Sequence, residues 1–255
     1  MHPFVVVGHD GSPASRTAVR RACPIGERVM VVSSTSAAEL FDLLDGPARN
    51  VELRLVPRLH LHDLFEAAVD HSGAYVVMPL HVGNADKLLR LGMQEAATLA
   101  RHGSGLAALH LVRDVDGTAR PYRRILVAAD GSVGSPSAVR AALEVAGAGA
   151  LVRVVHGGMR ALGPAVSVGG HSNRDGVDVA TSVVDGDPAR VLLDAVSTGG
   201  YGLIVSALNP TRGAAVRSIL PTNLSRTLVS RARVDHLVVF EAQSFEHLPR
   251  TRTAR

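Results

Sequence analysis

The chain contains an internal repeat. Val7-Gly8-His9-Asp10-Gly11-Ser12 returns 120 residues later as Val127-Ala128-Ala129-Asp130-Gly131-Ser132, and Ser15, Ala18, Val19, Arg20 and Ala22 recur at the same spacing as Ser135, Ala138, Val139, Arg140 and Ala142. The echo covers a strand-like run, a turn and the opening of a helix. Further on, Leu64-Phe65-Glu66-Ala67-Ala68-Val69-Asp70 is answered by Val191-Leu192-Leu193-Asp194-Ala195-Val196-Ser197, each leading through a glycine turn and a tyrosine to an apolar run. There the spacing has drifted to about 127, which places an insertion in the second copy, in the glycine-rich stretch 163–176. At 255 residues the chain has room for two cores of this size. The reading is a first domain over 1–116, a linker over 117–122, a second domain over 123–241 and a flexible basic tail over 242–255. The linker is placed where polar residues, Gly117 and Pro121 interrupt the periodicity.

Within each half, short apolar runs alternate with helix-period stretches. Strands are expected over 4–8, 28–33, 51–56, 74–78 and 106–112, then over 125–129, 151–156, 177–184, 203–206 and 236–240. Helices are expected over 15–22, 61–70, 85–100, 136–146, 188–197 and 214–230. Strands joined through helices require right-handed crossovers, hence a parallel, doubly wound α/β sheet whose ligands dock at the carboxyl ends of the strands. Composition agrees: with no tryptophan and 3% aromatics, the core must be built from Val, Leu, Ile and Ala, as in a sheet buried on both faces.

The same composition excludes several roles. The chain is 46% hydrophobic and 20% charged with a mean hydropathy of +0.18, which fits a globular protein. Its net charge of +4 comes from scattered arginines, Lys87 being the one lysine, and stacking aromatics are few, so no nucleic-acid partner is expected. No apolar run approaches a membrane span, and the N-terminus enters a strand without a signal-peptide pattern, so no membrane partner and a cytoplasmic location are expected. Cys23 is alone and can form neither an intrachain disulfide nor a cysteine-rich zinc site. His60-x-His62, with Asp63 and His71, has a spacing that can chelate zinc or nickel. It is read instead as surface histidines ahead of a helix, with no metal site.

The candidate chemistry lies at the ends of the first strand of each half. In Asp10-Gly11-Ser12 and Asp130-Gly131-Ser132, glycine permits the tight turn, serine can accept from orphan amides at the helix start, and the carboxylate faces the crevice. On the tripeptide alone, a capped turn without a ligand is the favoured reading. Gly186-Asp187-Pro188 reads as a helix start, with Asp at the N-cap and Pro in the first turn.

The repeated strand-Asp-Gly-Ser opening, the Gly-Asp-Pro before a mid-domain helix and the final helix leading to a valine-rich strand resemble the universal stress protein family, in its tandem two-domain type. The resemblance spans about 4–112 and 123–241 and implies two flavodoxin-like, adenine-nucleotide-hydrolase-like domains, each a five-stranded parallel sheet of order 3-2-1-4-5. It also implies association as a homodimer, or an intrachain pseudo-dimer of the two halves. Their last strands, 106–112 and 236–240, are apolar edges that need a cover. Some members bind ATP through the aspartate after the first strand and a Gly-x2-Gly-x9-Gly-(Ser/Thr) loop after the fourth. By that match the candidate nucleotide-binding residues are Asp130, Gly131, Ser132, Gly213 and Thr222, with Asp10, Gly11, Ser12, Gly83 and Gly92.

The loop departs from the pattern. In the first half only Gly92 is in register, Gly83 is one place late, and Met93 replaces the hydroxyl residue. The second half keeps Thr222 but puts Pro221, which has no amide donor, where glycine should stand. Each lost hydrogen bond to a charged phosphate is worth about 1.5–3 kcal/mol, so ATP binding is expected to be weak or absent and no cofactor is assigned. Catalytic motifs are missing: there is no Gly-x-Ser-x-Gly, no His-Glu-x-x-His and no Gly-x4-Gly-Lys-(Ser/Thr). The expectation is a non-enzymatic stress-response regulatory or interaction module with a degenerate nucleotide pocket and a possible protein partner. Two alternatives are an ATP-binding sensor using the second domain and a small-molecule hydrolase of the same wider fold.

Overall fold

The computed structural model describes residues 4–41, 43, 50–69, 71, 74–81, 85–101, 106–113, 122–129, 135–157, 171–174, 176–184, 187–208 and 221–240. In the first half the order is β1 (Val5–His9), α1 (Pro13–Ala22), β2 (Val29–Ser33), α2 (Ala37–Phe41), β3 (Val51–Leu55), α3 (Leu61–Val69), β4 (Ala74–Pro79), α4 (Ala85–Arg101) and β5 (Leu106–Val112). The second half runs β6 (Tyr122–Ala129), α5 (Ser135–Val145), β7 (Ala146–Gly157), β8 (His171–Arg174), β9 (Val177–Val184), α6 (Pro188–Gly199), β10 (Leu203–Leu208), α7 (Pro221–Arg231) and β11 (Asp235–Phe240).

All eleven strands belong to one sheet of order β3-β2-β1-β4-β5-β11-β10-β6-β7-β9-β8. The order 3-2-1-4-5 therefore occurs twice, as β3-β2-β1-β4-β5 and, in mirror sequence, as β11-β10-β6-β7-β9. Pairing is parallel throughout each set. β5 and β11 join the two sets antiparallel, with Leu109 opposite Val238 and His110 opposite Leu237. Central strands are mostly apolar, as burial on both faces demands: β1 reads Val-Val-Val-Gly-His with every residue buried.

The antiparallel joint puts corresponding helices of the two halves on the same face. One continuous core collects Ala18, Val19 and Ala22 of α1 with Ala138, Ala142 and Val145 of α5 and the valines beneath them. On the other face, α3 and α4 cover the first half and α6 and α7 the second, with α4 packed on α7 across the joint. Gly92, within α4, contributes to this packing: a Cβ there would stand 2.7 Å from the buried Leu109 side chain.

Several elements differ from the sequence expectation, β7 among them, which begins at Ala146 rather than 151. β8 is an added strand, antiparallel on β9, and its residues His171-Ser172-Asn173-Arg174 carry no apolar alternation by which it could be read. α2 has five residues, too few for a helical period to register. Tyr122, placed in the linker by composition, opens β6 and is buried. The rest of the expected linker and the tail lie outside the described residues.

Candidate functional site

β1 ends at His9, and the chain turns through Asp10 and Gly11 into α1. Gly11 has φ +84°, the left-handed region where glycine alone carries no strain. Ser12 caps α1 by accepting from Ser15 N at 3.1 Å, and Pro13 follows in the first turn. Asp10 holds the turn from inside: its Oδ1 accepts from Ser12 N at 3.0 Å, while Oδ2 accepts from His81 Nε2 at 2.8 Å. His81 lies two residues beyond β4, and β4 pairs with β1, so the sheet order brings it to the crevice. Burial alone would push the Asp10 carboxyl up; the hydrogen bonds from Ser12, His81 and Ser15 outweigh it and hold the group down at about 2.

Beside it, at the end of β2, is a small polar cluster. His9 Nδ1 stands 3.2 Å from Ser33 Oγ and 3.1 Å from Thr35 Oγ1, and Thr35 N donates to Ser33 Oγ at 3.0 Å. Burial lowers the His9 pKa, against the pull of Asp10 and Glu39, so a neutral ring is favoured.

Of the residues singled out in the sequence, the structure gathers Asp10, Gly11 and Ser12 at this crevice. Gly92 is in the interior of α4, where helical amides are bonded to carbonyls four residues back and are not free for phosphate. Thr222 stands second in α7, and Pro221 opens that helix, a position where a missing amide costs nothing. Asp130, Gly131, Ser132, Gly213 and Gly83 lie outside the described residues. Asp63 is engaged locally, accepting from His60 N at 2.8 Å. No group of three metal-ligating side chains occurs among the described residues. His156 borders a half-open groove of about 880 Å³ between α5 and the β7–β9 face, lined chiefly by Val139, Leu143, Val154, Val177 and Val179.

A second polar constellation, which the sequence did not reveal, sits inside the joint between the halves. Asp235, 1% exposed, accepts from the Tyr122 hydroxyl and from Arg113 N at 2.7 Å, and stands 3.0 Å from Arg21 Nε. Because a carboxylate only accepts, Tyr122 must donate to it. Its oxygen then accepts from His110 Nε2 at 2.9 Å, which leaves His110 Nδ1 to accept from the Tyr75 hydroxyl at 3.1 Å. Four residues thus form one ordered chain, with the Arg21 guanidinium 4.2 Å above the Tyr122 ring. Burial, reinforced by the Arg21 charge, drives His110 down to about 3, so it is neutral as the chain requires.

No protein-family model matches the chain, and no curated protein matches it. Solved structures do. A universal stress protein from Archaeoglobus fulgidus superposes with a TM-score of 0.63 at 14% identity, covering 95% of this chain and 98% of its own. The chain has the universal stress protein fold. A functionally unknown protein from Pseudomonas aeruginosa gives 0.59 at 14% identity, covering 94% and 92%. The cytoplasmic domain of a prokaryotic cation chloride cotransporter gives 0.54 at 11% identity, covering 95% and 96%. No described helix is long and apolar enough to cross a membrane.

Proposed function

We propose that the chain is a tandem universal stress protein, with units over 1–116 and 123–241, that acts in the cytoplasm as a non-enzymatic stress-response regulatory or interaction module whose nucleotide pocket has degenerated. The observation that carries this reading is the engagement of Asp10. The carboxylate that the family resemblance assigns to the nucleotide has one oxygen on Ser12 N and the other on His81 Nε2, so a ligand would compete with an imidazole and a backbone amide for it. Met93, Pro221 and the helical setting of Gly92 support it from the phosphate side. The likeness to a cytoplasmic domain of a transport protein fits an interaction role.

Thermal denaturation with millimolar ATP, ADP or AMP tests the reading. Nucleotide at about 100 times its Kd would add about 2.7 kcal/mol of stability; the expected result is no shift in Tm. A shift that Thr222→Ala abolishes would make the protein an ATP-binding sensor working through its second unit. Phosphate release abolished by Asp130→Ala would make it a hydrolase.

A further inference from the structure

The two ends of the eleven-stranded sheet differ. At one end β9 is covered by the antiparallel strand β8, with Asn173 Nδ2 donating to Asp178 Oδ1 at 2.8 Å. At the other end β3 pairs only with β2 among the described residues, and Leu53 and Leu55 are 40% and 57% exposed. We propose that β3 is the docking edge for a second copy of this chain, pairing antiparallel with its own counterpart about a two-fold axis at Leu53.

Backbone polarity supports this register. Val29 N donates to Asn50 O at 2.9 Å and Val56 N donates to Ser33 O at 2.8 Å. In a parallel ladder these bonds assign the even-numbered residues of β3 to β2, so Val51, Leu53 and Leu55 direct their N–H and C=O groups outward. An antiparallel partner centred on Leu53 meets Val51 with Leu55, Leu53 with Leu53 and Leu55 with Val51, all as hydrogen-bonded pairs, about six bonds in total.

The side chains agree with the backbone. Val51-Glu52-Leu53-Arg54-Leu55 is self-complementary when reversed: Glu52 falls opposite Arg54 of the second copy, and Arg54 opposite Glu52. These are the non-hydrogen-bonded pairs, whose Cα atoms approach to about 4.5 Å and whose side chains interact most closely. Within the chain Glu52 already meets Arg28 at 2.6 Å and Arg54 meets Glu66 at 3.1 Å, both at exposed positions where such pairs hold weakly. Charges that guard an edge commonly do so by like-sign repulsion; here the two signs are arranged to attract a copy. A five-residue strand pair is a small interface, so the dimer should be weak and concentration-dependent.

Sedimentation equilibrium of the full chain from about 1 μM to about 1 mM tests this. The wild type should dimerise within that range. Glu52→Arg alone and Arg54→Glu alone each oppose like charges across the two-fold and should weaken dimerisation about tenfold or more. An equimolar mixture of the two variants sets every 52–54 pair in opposite charge and should dimerise again as a heterodimer. Circular dichroism first checks each variant's fold, and one that fails is replaced by Glu52→Lys or Arg54→Asp. A wild type that stays monomeric, a dimer that neither swap weakens, or folded variants whose mixture stays monomeric would overturn the proposal. None of these readings depends on nucleotide.

Discussion

At the scale of single residues, Asp10 carries a pH dependence whose sign is fixed. Its carboxyl lies at about 2 in the folded chain against an ordinary 3.8, so it contributes stability that is fully present above about pH 4 and lost as pH falls toward 2. Asp10→Asn should cost roughly 1–2 kcal/mol at pH 7, with the gap to wild type narrowing below about pH 4; urea denaturation over a pH series measures it. The Asp-Gly-Ser turn was legible because its cap, its left-handed glycine and its Asx contact span three consecutive residues. His81 was not, since it lies 71 residues from Asp10 and only the β1–β4 pairing joins them.

At the scale of elements, helix starts follow local chemistry. Asp187 caps α6 by accepting from Ala189 N at 3.1 Å, Pro188 follows in the first turn, and Gly200 closes the helix at φ +63°. Asp187→Ala should destabilise the chain by about 1 kcal/mol, read as a lower denaturant midpoint with an unchanged slope. Most strands and helices were legible for the same reason: apolar periodicity and caps are short-range signals, and here they are stated twice. β8 and α2 fall below that signal, one through its polar sequence and the other through its length, and β8 exists only because β9 offers it an edge.

At the scale of the whole molecule, the joint between the halves is held by a buried carboxylate and two arginines. Asp235→Ala would take the acceptor from the Tyr122 hydroxyl and Arg113 N and remove a buried ion pair to Arg21, and should cost about 3–5 kcal/mol. Calorimetry should then resolve two transitions where the wild type has one, because Asp235 bonds to groups from both halves. His110 and His236 are each held at about 3 by burial and neighbouring arginine charge. Both are neutral when folded but take a proton when unfolded below about pH 6.5. The unfolded chain then binds two more protons, and stability falls with pH by roughly 2.7 kcal/mol per unit. His236→Gln should lessen the slope by about 1.4 kcal/mol per pH unit, measured as the free energy of unfolding between pH 6 and pH 4. The internal repeat, the parallel sheet and the need of both last strands for a cover were legible in the sequence alone, because they rest on periodicity and on a pattern that recurs; the 3-2-1-4-5 order was implied only by the family resemblance. Tertiary structure alone decided that those strands cover each other, that Asp235 meets Tyr122 across 113 residues, and that, among the described residues, β3 ends the sheet on one side while β8 covers β9 on the other. Such contacts depend on which strands become neighbours, and no local run of residues encodes that.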